Sequence, residues 1–143
     1  MKNILSILLV SVILFGCSEN RVLLDELTNK RTEKSELMYY EGVLFNGIGF
    51  DIYENGQLEL EWNYKDGKMD GLQKEWYKNG QLESEQNYTD GKVEGLCKWW
   101  YENGQLRIEE NYKDDKRDGL HKKWYENGQL LYEENYKDGV RID

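Results

Sequence analysis

From about residue 37 onward, apolar and polar residues alternate in short runs. Leu58-Glu59-Leu60-Glu61-Trp62-Asn63-Tyr64 is one such run. A period of two is that of a half-buried strand, and no period of 3.6 survives to support a helix. Two turn signals punctuate the runs. Asn-Gly occurs at Asn55-Gly56, Asn79-Gly80, Asn103-Gly104 and Asn127-Gly128, spaced 24 residues each time. Between these lie Asp66-Gly67, Asp90-Gly91, Asp114-Asp115 and Asp138-Gly139. Asn, Asp and Gly tolerate positive φ, so both signals predict β-hairpins closed by two-residue type I′ loops.

The 24-residue period extends to other columns. Tyr53, Tyr77, Tyr101 and Tyr125 stand two before each Asn-Gly, and Gln-Leu follows it at 57–58, 81–82, 105–106 and 129–130. Tyr40 and Gly47 lie 24 residues before Tyr64 and Gly71, which marks a half-copy at the front. The units run 37–46 (half), 47–70, 71–94, 95–118 and 119–143. Such repeats stack as supersecondary units. The fold class expected is all-β: an elongated, single-sheet antiparallel meander of repeated hairpins.

Two-residue loops conserve parity and so assign the faces. Around Asn79-Gly80, Tyr77 opposes Leu82, Glu75 opposes Ser84 and Gly71 opposes Tyr88. The better-buried face then carries Tyr77, Leu82, Tyr88, Val93, Trp99 and Tyr101, with each tyrosine ring lying over a cross-strand glycine. The other face carries Trp76, Trp100 and Trp124 in a row, beside the cross-strand pairs Lys74–Glu85, Lys98–Glu109 and Lys122–Glu133.

The first residues read differently. Lys2 precedes an apolar run, Ile4 to Phe15, that is too short to span a bilayer and is sized for a signal peptide. Leu14-Phe15-Gly16-Cys17 resembles the bacterial lipobox, with Phe15 replacing the usual small residue. That resemblance implies removal of 1–16 and lipidation of Cys17, hence a membrane-anchored envelope lipoprotein. Ser18 resembles the sorting signal for the outer membrane in hosts that have one. Residues 17–36 read as the lipidated cysteine and a polar tether with at most a turn or two of helix around Val22, Leu23, Leu24 and Leu27.

The chain has 143 residues and a net charge of −9, and residues 1–16 carry only one charge, that of Lys2. This balance argues against nucleic acid and anionic lipid headgroups as partners. Aliphatic residues are sparse beyond the front segment, so 11 tyrosines and five tryptophans must supply most of the burial.

The candidate chemistry is thin. His121 and Cys97 occupy the column that also holds Gly49 and Gln73, so neither residue type is required there. They fall two strands apart, roughly 9–10 Å, too far to share one zinc. The carboxylates recur in register with lysines or turns, without the isolated pair that a glycosidase needs. No metal, cofactor or catalytic residue is expected, and the chain is read as a non-enzyme. The remaining candidate is an aromatic surface: Trp76, Trp100 and Trp124 with Tyr77, Tyr101 and Tyr125.

The unit Gly-x-x-x-x-Trp-Tyr-x-Asn-Gly-Gln-Leu-x-x-Glu-x-Asn-Tyr-x-Asp-Gly-Lys, read from Gly71, Gly95 and Gly119 with a diverged copy from Gly47, resembles the variant MORN repeat. The resemblance covers about 100 residues. It implies a meander of hairpins that binds proteins and has no catalytic residue. Bacterial proteins of this kind are commonly labelled YwqK-family antitoxins, which makes a toxin one expected class of partner. The expected function is a non-catalytic, lipid-anchored protein-interaction module. The alternative is a glycan- or cell-wall-binding lipoprotein, because the Trp-Tyr doublets resemble those of cell-wall-binding repeats.

Overall fold

The computed structural model describes residues 20–31 and 36–142. Cys17 and the signal segment lie outside them. The strands are β1 (Arg21–Leu23), β2 (Thr28–Arg31), β3 (Glu36–Tyr40), β4 (Val43–Leu44), β5 (Gly47–Ile52), β6 (Leu58–Lys65), β7 (Lys68–Met69) and β8 (Gly71–Trp76). They continue as β9 (Leu82–Thr89), β10 (Lys92–Val93), β11 (Gly95–Trp100), β12 (Leu106–Lys113), β13 (Lys116–Trp124), β14 (Leu130–Lys137) and β15 (Val140–Arg141). One large sheet follows the order β1-β5-β6-β8-β9-β11-β12-β13-β14-β15, with β7 beside β6 and β10 beside β9. All pairings from β5 onward are antiparallel. The all-β hairpin repeat is therefore the architecture of the chain.

The front of the domain departs from the expectation. Residues 20–31, read as tether, belong to the fold. β1 pairs in parallel with β5, Val22 facing Gly49, which makes the sheet mixed. β2, β3 and β4 form a second, three-stranded sheet. Together they cap the first repeat: Val22, Leu27, Phe45 and Tyr64 form a buried cluster, with Leu24, Met38, Tyr40, Trp62 and Met69 packed against it. The short apolar run at Val22 to Leu27 was too brief to read as a helix; it is a strand and a single 3-10 turn, stabilised by tertiary burial worth ~1.5–3 kcal/mol per large side chain. The cap also explains why the first unit has Gly49 in its column. A Cβ there would lie 2.6 Å from Leu24 Cδ2 and 3.2 Å from Leu27 Cδ1.

The two turn signals form different turns. In the Asp-Gly loops both residues have positive φ, 51° and 75° at Asp66-Gly67, which is the expected two-residue type I′ geometry. The Asn-Gly loops are not of this type. Only the glycine is left-handed (Gly80, φ 85°), Gly80 N–H donates to Tyr77 O and Tyr77 N–H donates to Gln81 O. That is a three-residue loop, a type I turn closed by a glycine bulge. A further one-residue irregularity follows, so Trp76, not Tyr77, pairs with Leu82, and Glu83 is the extra residue. The two shifts cancel beyond that point: Glu75 faces Ser84 and Gly71 faces Tyr88, as the sequence predicts. Leu82 therefore joins the tryptophan face.

The glycines opposite the tyrosines also have a different cause. Gly71, Gly95 and Gly119 stand opposite Tyr88, Tyr112 and Tyr136. A Cβ on Gly95 would meet nothing within 4 Å, and those on Gly71 and Gly119 would meet Asn63 and Asn111, not a ring. What requires glycine is backbone φ, +99°, +81° and +111°.

Candidate functional site

The repeats are joined by bonds that recur with the same 24-residue period. Tyr53, Tyr77 and Tyr101 donate their hydroxyls to the carbonyls of Trp76, Trp100 and Trp124, at 2.7, 2.7 and 2.9 Å. Asn55, Asn79 and Asn103 reach the carbonyls of Lys78, Glu102 and Glu126 in the next loop, at 3.0–3.1 Å. The same asparagines accept the N–H of Gln57, Gln81 and Gln105, fixing their own turns. On the opposite edge each Asp-Gly loop reaches back: Gly67, Gly91 and Gly139 donate to the carbonyls of Phe45, Met69 and Arg117. Asp115, the non-glycine of this column, makes the same bond to Val93 at 3.1 Å and accepts the Val93 N–H on its carboxylate at 2.8 Å. Both edges are stitched, so neighbouring units hold each other in one orientation.

These bonds place the predicted aromatic residues. Trp76, Trp100 and Trp124 lie in one row on the outer face, each partly exposed. Tyr77 and Tyr101 are partly buried with their hydroxyls engaged between units, while Tyr125 is 50% exposed. The turn residues Asn55-Gly56, Asn79-Gly80, Asn103-Gly104 and Asn127-Gly128 all sit in exposed loops. The lysine–glutamate pairs form as expected: Lys74–Glu85 at 3.3 Å, Lys98–Glu109 at 3.3 Å and Lys122–Glu133 at 2.9 Å. By register each glutamate also faces the lysine of the next unit, Glu85 opposite Lys98 and Glu109 opposite Lys122. Such exposed pairs stabilise by ~0.2–1 kcal/mol each and set register more than strength.

The inner face carries the column that the sequence marked only as interchangeable. Gly49, Gln73, Cys97 and His121, one per unit, form its most buried row. At His121 the cover comes from rings of the next strand, Tyr132 at 5.2 Å and Tyr136 at 5.8 Å. Between Cys97 and His121 lies Glu110, the register partner of both. Its carboxylate is 4% exposed and takes Arg117 at 2.9 Å and the Tyr112 hydroxyl, while His121 Nε2 stands 3.0 Å away without a hydrogen bond to it. Burial and the bond to Glu110 push the Tyr112 hydroxyl up to about 12. Burial pushes the His121 pKa below its ordinary value, against the pull of Glu110. Burial likewise raises the Cys97 thiol, which is fully enclosed. The sequence held two hints of this cluster: the column whose residue changes in every copy, and the recurrence of Glu110, Tyr112 and Arg117 as Glu134, Tyr136 and Arg141.

Two cavities among the described residues open on the inner face. The larger, about 820 Å³, lies where the cap meets the sheet, walled by Met38, Trp62, Tyr64, Met69 and Lys68. The smaller, about 220 Å³, is beside Glu110. No group of three or more His, Cys, Asp or Glu residues that could hold a metal is present among the described residues. No described helix is long and apolar enough to cross a membrane.

The MORN repeat variant pattern matches residues 45–66, 69–90, 93–114 and 117–138. The chain belongs to this family. The four matches start 24 residues apart and fall on the stitched units described above. Membership makes it a repeat-based interaction module, in which successive units build one continuous surface. Comparison with curated proteins and with solved structures finds no match.

Proposed function

We propose that this MORN-repeat chain is a non-catalytic module that binds a partner protein and is held at a membrane of the cell envelope by lipid on Cys17. The observation that carries the reading is the stitched edge. Hydrogen bonds recurring at 23-residue separation hold the units in one orientation, so aromatic side chains from successive units present a preorganised surface. Trp76, Trp100 and Trp124 on the outer face and the exposed Tyr125 at the last Asn-Gly loop are the positions for contact, and aromatic residues of this kind dominate interface energetics. The family resemblance makes a toxin neutralised at the envelope one candidate partner.

The test is a crosslinked pull-down of tagged, full-length protein from intact cells, read by mass spectrometry. One stoichiometric protein partner, lost on Trp100→Ala, supports the module. Recovery of wall fragments without protein overturns it in favour of glycan binding. The anchor is tested separately with Cys17→Ser, which is expected to leave the detergent phase on partitioning. Continued partitioning into detergent would defeat the lipid claim.

A further inference from the structure

The fold begins close to the proposed anchor. Asn20 is already held: its carbonyl accepts the Ile48 N–H at 2.8 Å and its side-chain amide donates to the Asn46 carbonyl at 3.4 Å. The fit is close, since a Cβ on Gly47 would lie 2.1 Å from the Asn20 carbonyl oxygen. β1 follows at once, paired with β5 from Arg21 to Leu23, and Arg21 is bonded to Glu61 at 2.7 Å. Only Ser18 and Glu19 stand between this clamp and Cys17. Three residues of chain reach at most ~10–11 Å, even fully extended. A lipid on Cys17 therefore holds the front of the sheet against the bilayer surface, with no tether between them.

The corner nearest Asn20 has a distinct surface. β1 runs parallel to β5, so its start lies at the edge where the Asp-Gly loops turn. Asn46 ties the two together, accepting from Asn20 on its carbonyl and from the Asp66 N–H on its side chain at 2.9 Å. The β3–β4 turn, Glu41-Gly42, belongs to the same corner. Its φ values of 49° and 83° are those of a two-residue type I′ loop, with Tyr40 opposite Val43. Gly67 donates to the Phe45 carbonyl and accepts the Met38 N–H, so the turn, about three residues further along either strand, projects past the Asp66-Gly67 loop. Glu41, Gly42 and Val43 are all exposed. At 70%, Val43 is more exposed than any other large apolar side chain among the described residues.

The rest of that edge is unsuited to lipid. Beyond the corner it carries the ion pairs Lys68–Asp90 at 2.6 Å, Lys92–Asp114 at 2.8 Å and Lys137–Asp118 at 2.7 Å. Pressing them against a bilayer would strip water from both charges of each pair, a cost that their attraction does not reliably return. A bare valine beside a half-exposed tyrosine has the opposite preference, because an apolar body with one polar tip suits the headgroup boundary. The short leash and the apolar tip thus select the same corner.

We propose that this corner is a membrane seat: with lipid on Cys17, the β3–β4 turn sets Tyr40 and Val43 in the headgroup layer, and the repeats lead away from the bilayer. β14 then stands seven strand spacings beyond β5, roughly 34 Å. Trp76, Trp100 and Trp124 lie on β8, β11 and β13, two spacings apart, so each is held ~9–10 Å further out than the last. Both faces of the sheet stay open to a partner, which meets the tryptophan row at fixed heights above the membrane. The inference rests on the lipid-anchor reading above and names the surface that acts with the lipid.

The test uses the full-length protein purified from its membranes and reconstituted in phosphatidylcholine vesicles, whose headgroups have no net charge to repel a chain of −9. A fraction of the lipid carries a nitroxide on its headgroup, which quenches only nearby fluorophores. Thiol-reactive reporters are placed one at a time at Glu41→Cys, Glu126→Cys and Val140→Cys; Cys97 is enclosed and takes no label. The expected result is strong loss of fluorescence at position 41 and little at 126 or 140. A flexible twelve-residue Gly-Ser insertion between Ser18 and Glu19 adds a reach of roughly 20 Å. Combined with Val43→Asp, an exposed change that leaves the core alone, it should bring position 41 down to the level of 126. Equal quenching at 41 and 140 would mean that the sheet lies along its Asp-Gly edge, and overturns the seat. So does quenching at 41 that the combined variant leaves unchanged. Protein that floats with the vesicles but is not quenched at 41 removes the seat alone, whereas protein that fails to float removes the lipid reading with it.

Discussion

Removing one hydroxyl at a time from the tyrosine row measures how the repeats are held together. Tyr53, Tyr77 and Tyr101 each donate a single bond of 2.7–2.9 Å to a tryptophan carbonyl one unit further on. Tyr→Phe deletes that bond and little else, since the ring stays, and a bond of this kind contributes ~0.5–1.5 kcal/mol. The three sites are about two strand spacings apart, ~9–10 Å, far enough for their effects to add. The triple variant Y53F/Y77F/Y101F should therefore lose ~3 kcal/mol, a large part of a marginal domain's stability. Tyr125 supplies the control: it is 50% exposed and donates no such bond, so Tyr125→Phe should cost close to nothing. Urea unfolding followed by tryptophan fluorescence gives the five values, with the slope unchanged if only stability has moved. A cost for Tyr125→Phe equal to the other three, or a triple variant as stable as wild type, would refute the interlock.

Other consequences are independent of that one. Gly67→Ala should be far more damaging than Gly56→Ala. Both positions are left-handed and cost ~1–2 kcal/mol for any Cβ, but at Gly67 the Cβ would lie 2.7 Å from Met38 O, where the cap's β3 meets the turn, while Gly56 faces open space. Thermal melts of the two variants decide it, and equal losses would mean the cap is not seated there. Because burial holds the His121 pKa below its unfolded value, the unfolded chain binds the extra proton first. Stability should be complete above about pH 6.5 and fall as pH drops below it. His121→Gln should flatten this part of the profile, and an unchanged profile would exclude His121 as its source. Finally, Cys97 is fully enclosed with its thiol raised by burial, so in the Cys17→Ser variant Ellman's reagent should label it only on unfolding; fast labelling of that native variant would contradict its placement.

The sequence alone determined the repeat, its length, the hairpins and the cross-strand partners far from the loops. These follow from local rules: a period of two, turn residues that tolerate positive φ, and a 24-residue recurrence in which one unit's register is every unit's register. The Lys74–Glu85 class of pairs and the Gly71–Tyr88 class of pairs were legible for that reason. The loop type at Asn-Gly was not, because Asn-Gly suits both a type I′ loop and a type I turn with a glycine bulge. The choice fell to the tyrosine and asparagine bonds made to the next unit, which no local reading contains.

The cap was hidden for a related reason. Val22, Leu27 and Phe45 are too few and too scattered to announce a core, and they become one only when Trp62, Tyr64 and Gly49 arrive from the sheet. The Glu110 cluster is the same case at a smaller scale. Glu110, Tyr112 and Arg117 recur one unit on as Glu134, Tyr136 and Arg141, with the ion pair again at 2.7 Å, but His121 and Cys97 on either side of Glu110 do not recur, so the period was silent about them. Repetition exposes what every unit must do, through stacking contacts that are identical by construction. What distinguishes one unit from the next depends on which strands lie side by side, and only the tertiary structure decides that.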